Sequence, residues 1–209
     1  MSGTRESPKS YAHAPRLPPD GRVDVHAVLP GSGPLLLEIG SGRGQFAMQY
    51  VGANPTHRVL AFEIRLKYAA ILADRLAALG PFARCFADDA RLALPRLDPA
   101  ASVNAVAIHF PDPWWKKRHA KRLVVGDVLL AELERLVAPG GVVFVQTDVE
   151  DRAREYLAQF TARDAFENIA PAGQTLVGES PFAPARSNRE SRSIADGLPI
   201  YRIAVRRRG

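Results

Sequence analysis

Short apolar runs alternate along this chain with segments whose apolar residues recur at helical spacing. Leu35, Leu36, Leu37 and Ile39 form a run of the kind that a strand buried on both faces requires. Comparable runs follow at Arg58–Glu63, Ala83–Ala87, Val103–Phe110 and Val142–Gln146. Between them lie helical patterns. Phe46, Ala47 and Tyr50 make one, and Leu66, Ala70, Ala73 and Ala77 make another that stops at Gly80. Asp89 heads a third, expected to run through Leu92 and Leu97. A fourth spans Gly126 to Ala138 and ends at Pro139-Gly140-Gly141, and a fifth carries Ala153, Tyr156, Leu157 and Phe160. Two further strands, Phe166–Ala170 and Ile200–Val205, read as an antiparallel pair closing the sheet. The pattern predicts an α/β fold on a mostly parallel sheet of seven strands.

Acids stand where the runs end. Glu63, Asp89, Asp112 and Asp148 fall at or just beyond the carboxyl ends of predicted parallel strands, and Glu38 lies at the edge of the first. Ligands of open α/β sheets bind at that edge. Three of these acids also have a plainer reading. Asp89 and Asp148 suit helix caps, and Glu38 suits either a ligand's ammonium group or neighbouring backbone amides. Five unrelated caps along one edge would be a coincidence. Gly40, Gly42 and Gly44 follow the first strand and permit a tight turn with close backbone approach to a ligand. Gln45 stands where a dinucleotide fingerprint would place its last small residue, which weakens an NAD reading. Glu63 follows Gly44 by 19 residues, near the ~20 expected of an acid that holds ribose hydroxyls.

The most distinctive stretch is FPDPWWKKRHAKR, Phe110 to Arg122. Pro111 and Pro113 stiffen the backbone around Asp112. Trp114 and Trp115 follow, then Lys116, Lys117, Arg118, Lys121 and Arg122. The order offers an acid for chemistry, indoles for a base and cations for phosphates. A solvated charge run after a buried strand is the bland alternative.

Composition changes the picture little. The 209 residues, 46% hydrophobic and 24% charged, suit an ordinary globular protein, and a net charge of +6 favours a polyanionic partner. One cysteine, Cys85, excludes an internal disulfide and a multi-cysteine zinc site. No apolar run is long enough for a membrane span or a signal peptide, so the expected location is cytoplasmic. Residues 1–21, with Pro8, Pro15, Pro18 and Pro19, read as a flexible basic tail whose end the core or RNA can order. Residues 22–209 read as one domain.

EIGSGRG with an acidic end to the second strand resembles the class I S-adenosylmethionine-dependent methyltransferases. FPDPWWKKRHAKR closely resembles the central motif of the bacterial tRNA (guanine-N7-)-methyltransferases, and the similarity runs from about Leu35 to Val205. The resemblance implies a doubly wound, Rossmann-like sheet with an antiparallel C-terminal strand. It also implies methyl transfer from S-adenosylmethionine to N7 of a guanosine in the tRNA variable loop. Residue by residue, it implies cofactor contacts at Glu38, Gly40, Gly42, Glu63, Asp89 and Asp112, with Asp112 also catalytic. Lys116 and Asp148 match substrate contacts, and Arg118, Lys121 and Arg122 fall in the segment that contacts tRNA. The family's late Thr-x-aromatic-Glu motif appears as Ser187-Asn188-Arg189-Glu190, with Arg189 replacing the aromatic. Ser187 and Glu190 then match substrate contacts. Guanine N7 has a free lone pair, so this chemistry requires neither a metal nor a cysteine nucleophile. A non-catalytic RNA-binding relative and a methyltransferase with another substrate stay open, as do monomer and homodimer.

Overall fold

The computed structural model describes residues 11–111 and 124–209. Seven strands form one sheet: β2 (Leu35–Ile39), β3 (Arg58–Phe62), β4 (Ala83–Phe86), β6 (Val103–His109), β7 (Val137–Thr147), β8 (Phe166–Asn168) and β9 (Tyr201–Arg207). Their order is β4-β3-β2-β6-β7-β9-β8. Only β9 runs against its neighbours, pairing antiparallel with both β7 and β8. A two-stranded accessory pairs β1 (Val23–Asp24) with β5 (Leu97–Asp98). The seven-stranded, mostly parallel sheet with an antiparallel last strand is therefore as the pattern and the resemblance imply.

Alternate residues of the buried strands pack into different layers, because successive side chains leave a strand on opposite faces. Leu35, Leu37 and Ile39 join a core with Leu129, Leu133 and Leu136 of α5 (Asp127–Leu136) and with Tyr156 and Phe160 of α6 (Glu150–Thr161). Leu36, on the other face, packs with Phe46, Ala47 and Tyr50 of α2 (Gln45–Ala53) and with Leu72 and Leu76 of α3 (Leu66–Ala77). Helices thus cover both faces. Among the described residues the remaining helices are α1 (Val25–Val28), α4 (Ala90–Ala93) and α7 (Asn188–Ala195).

Two sequence expectations need correction. The helix after Asp89 does not reach Leu97: α4 ends at Ala93, and a single 3₁₀ turn, Leu94–Arg96, follows. Pro95 lacks the N–H that an α-helix would use, and Leu97 instead pairs with Val23. Leu92 is 72% exposed and is not a core residue. The second correction concerns Pro139-Gly140-Gly141. The preceding helix ends at Leu136, and Val137 already pairs with Val103 of β6. Pairing resumes at Ala105 with Val142, so the Pro-Gly-Gly residues are looped out as a bulge within β7. Gly140 accommodates this at φ +81.

In the order of strands, β2 lies between β3 and β6, which makes the β2/β6 boundary the topological switch point. The loop after β2 and Phe110-Pro111 after β6 leave the sheet side by side there. Gly44 closes the first loop at φ +76, and a Cβ on it would come within 2.3 Å of Leu72 Cδ1. Gly44→Ala combines a left-handed backbone with overpacking against a buried leucine, and should cost about 2–4 kcal/mol. Urea unfolding of the two chains measures the difference, and equal midpoints would show that the loop repacks freely.

Candidate active site

A cavity of about 460 Å³ opens at this switch point, lined by Gly40, Glu63, Asp88, Asp89, His109 and Phe110 among others. The glycine loop is pinned on one side by main chain. Gly40 and Ser41 N–H both donate to Phe62 O, at 2.8 and 3.3 Å, and Gly44 N–H donates to Ser41 O at 2.9 Å. Gly40 and Gly42 sit at φ +77 and +55, and among the described residues nothing lies within 4 Å of where a Cβ would stand.

Glu63 fixes the other side. Its Oε2 accepts from Gly42 N–H at 2.7 Å, and its Oε1 accepts from Arg65 N–H at 2.8 Å and Arg65 Nε at 3.0 Å. The carboxylate is buried. Glu38 is buried too, but one residue before Ile39 it faces the opposite layer, between its register partners Ala61 and Ala107. Its Oε2 has no hydrogen-bond partner among the described residues. Burial, reinforced by the charge of Glu63, pushes its pKa up to about 8. Cys85 lies on the same face, 3.9 Å from Ser41 Oγ, and burial raises its thiol to about 12.

Asp89 caps α4 through Arg91 N–H at 3.0 Å and pairs with the Arg91 guanidinium. That side-chain bond holds its carboxyl below the usual range. Its neighbour Asp88 accepts from Leu17 N–H at 2.8 Å, and Ala87 N–H donates to Pro15 O at 2.7 Å. The end of the segment read as a tail is therefore fastened to the cavity wall, with Ala14 and Leu17 buried.

Across β6 the edge carries a second polar group. His109 pairs in register with Gln146, and Gln146 with Arg202, so their side chains share one face. Gln146 Nε2 lies 2.8 Å from His109 Nδ1 and donates to Glu190 Oε2 at 3.0 Å. Arg202 Nη2 donates to Glu190 Oε1 at 3.0 Å. Burial drives the His109 pKa down to about 3, so the ring is neutral. Ser187 caps α7 by accepting from Glu190 N–H at 3.2 Å. Asp148, just past β7, pairs with Arg189 at 2.6 Å. Phe110, at the end of β6, has φ +48, an uncommon conformation for a bulky residue, and its N–H donates to Gln146 O at 2.7 Å.

This arrangement can be set against known proteins. A family model described as "Putative methyltransferase" matches residues 32–203. The tRNA (guanine-N(7)-)-methyltransferase of Myxococcus xanthus is 41% identical over 177 residues, covering 83% of this chain and 84% of that protein. The protein of the same name from Anaeromyxobacter dehalogenans is 42% identical over 174 residues, covering 83% and 85%. The chain belongs to the tRNA (guanine-N(7)-)-methyltransferase family. Among solved structures, the 16S rRNA methyltransferase KamB superposes with a TM-score of 0.60 at 18% identity, covering 88% of this chain and 92% of that one. A SAM-dependent O-methyltransferase from Thermotoga maritima gives 0.54 at 16% identity, covering 86% and 61%. Those two likenesses concern the fold.

Of the positions that the family resemblance singles out, Gly40, Glu63 and Asp89 line one cavity, with Gly42 bonded to Glu63. Glu38 stands behind that wall. Asp148, Ser187 and Glu190 cluster on the other side of β6, where Glu190 is sealed inside a network. Asp112, Lys116, Arg118, Lys121 and Arg122 lie outside the described residues. Sequence reasoning passed over His109, Gln146 and Arg202. The signal was present for the first two, a polar residue near the carboxyl end of each of two apolar runs, VNAVAIH and VVFVQT.

Glu38 sets a pH dependence. A carboxyl whose folded pKa lies above its unfolded value binds more protons when folded, so stability falls as pH rises between the two. Glu38→Gln removes that loss. The ligand-free variant should match the parent near pH 4.5 and exceed it by a few kcal/mol at pH 8, the gain building across the interval. Denaturant melts at several pH values test this, and a pH-independent difference would assign the effect to packing.

Proposed function

We propose that this chain transfers a methyl group from S-adenosylmethionine to N7 of a guanosine in the variable loop of tRNA. The observation that carries the reading is a family member whose sheet edge gathers a glycine cradle, a buried acid with one unpartnered oxygen, and a second acid at the next strand end. These residues fit S-adenosylmethionine. The open space beside Gly40 and Gly42 admits close approach and Glu63 suits ribose hydroxyls, while Glu38, assigned to the ammonium group, lies buried behind the loop and would have to ionise on binding. A volume of about 460 Å³ lies within the ordinary range for ligands of this size. Asp89 and Asp112 complete the cofactor set in this reading. When bound, S-adenosylmethionine supplies a methyl group activated by its sulfonium centre.

The chain's own residues have two tasks. N7 needs no deprotonation, so the first is alignment, which can offset ~7–11 kcal/mol of barrier. Lys116, Arg118, Lys121 and Arg122 are assigned to tRNA phosphates, and Asp148 to the substrate side of the edge. Ser187 and Glu190 support that side by holding α7 in place through the cap and the Arg202 pair. The second task is electrostatic. The guanine ring becomes cationic during transfer, and Asp112 is assigned to its N1–H and amino edge, where a carboxylate opposes developing charge. The soluble cytoplasm is the location this substrate implies, and no helix among the described residues is long and apolar enough to cross a membrane.

The direct test is methyl transfer to bulk unmodified tRNA followed by nucleoside analysis. 7-Methylguanosine is the expected product, and any other methylated nucleoside, or none, refutes the assignment. Asp112→Asn is nearly isosteric and should lower single-turnover transfer at least ~100-fold with tRNA and cofactor saturating, tRNA affinity changing far less. Transfer within a few-fold of the parent would reduce Asp112 to a turn residue. For the basic run, log affinity against log salt should have a slope of about −0.7 to −0.9 per phosphate neutralised. Lys121→Ala with Arg122→Ala should make it shallower by about one to two units, and an unchanged slope would put the tRNA on another face.

A further inference from the structure

Arg189 stands in place of the aromatic residue of the family's late motif, and no task has yet fallen to it. Its Nη2 donates to Asp148 Oδ2 at 2.6 Å, and its Cζ lies 5.3 Å from the centroid of the Phe110 ring. Phe110 lines the cavity, and the chain runs from it through Pro111 straight into Asp112. The guanidinium is thus held at one edge by a carboxylate and lies over an aromatic ring, while 54% of the side chain stays exposed. An ion pair this exposed stabilises a fold very little, so stability is a poor account of the arrangement.

The pairing also argues against a phosphate anchor. A phosphate would have to compete with Asp148 for the guanidinium. What remains on offer is a fixed plane, and unstacked RNA bases pack on guanidinium planes as they do on aromatic rings. The plane lies over Phe110, which lines the cavity and precedes Pro111-Asp112 in the chain. A bare guanidinium would repel a ring turning cationic, but the carboxylate at 2.6 Å cancels its charge.

We infer that Arg189 forms one wall of the target-base pocket, its guanidinium plane stacking on the guanine while Asp148 holds and neutralises it. The inference rests on the tRNA methyl transfer proposed above. It separates plane from charge, and two substitutions do the same. Arg189→Tyr keeps a flat surface and removes the charge, whereas Arg189→Lys keeps the charge and removes the plane. With S-adenosylmethionine saturating, the tyrosine variant should retain kcat/KM for tRNA within about threefold. The lysine variant should lose about 10- to 100-fold, the scale of one lost base stack. Cofactor affinity and melting temperature should not change in either, and Arg189→Trp replaces the tyrosine variant if that one proves unstable. A lysine variant that keeps activity while the tyrosine variant loses it would make Arg189 only the counter-charge of Asp148. Retention by both, or loss by both, would equally overturn a stacking role. A parent enzyme that makes no 7-methylguanosine would instead bring down the proposed function, and this inference with it.

Discussion

The carboxylate of Glu63 is the joint on which the carboxyl edge of the sheet depends. Buried at the end of β3, it accepts from the glycine loop through Gly42 and from its own downstream turn through Arg65. Loops leaving two neighbouring parallel strands are thereby fixed relative to each other. A buried charge is costly unless its lone pairs are filled, and here three N–H groups fill most of them. Because the loop glycines have no side chains, the charge of Glu63 is the nearest feature that orders this space. Loss of the carboxylate would loosen the loop as well as remove the acid that the proposed cofactor site uses.

Beyond β6 the same problem is solved with several weaker groups. His109, Gln146 and Arg202 descend in register across β6, β7 and β9, and Glu190 reaches down from α7 to close the set. The antiparallel last strand thus contributes more than an edge to the sheet. Arg202 supplies the cation that lets a helix acid be buried. Asn188 and Arg189 are carried by a helix so anchored, with Asn188 Nδ2 donating to Gln45 Oε1 at 2.8 Å to join α7 to the glycine-loop helix.

The strands were legible because buried parallel strands are written as unbroken apolar runs, and their acids stood out against that background. Glu63, Asp89 and Asp148 all fall at the carboxyl edge, as runs ending in an acid imply. What escaped the sequence was decided by partners remote along the chain. Pro139-Gly140-Gly141 carries every mark of a helix stop, yet pairing with β6 draws Val137 into the sheet and turns those residues into a bulge. Pro95 shortened α4 while Val23, more than seventy residues away, gave Leu97 a strand partner. Partner choice is equally hidden in side chains. Asp89 with Arg91 is a local pair that a sequence can suggest, but Glu190 with Gln146 and Arg202 exists only once β9 lies beside β7.

The solitary thiol has a practical side. Cys85 is buried next to the glycine loop, and with its pKa pushed to about 12 almost none of it is thiolate at neutral pH. Thiol reagents attack the thiolate, so they must wait until β4 or the loop opens. The rate at which the native chain is modified is therefore a clock for breathing at the glycine-loop edge of the sheet. A cysteine engineered on the surface would be labelled far ahead of it, so fluorophores can be placed on this protein without first removing the natural cysteine.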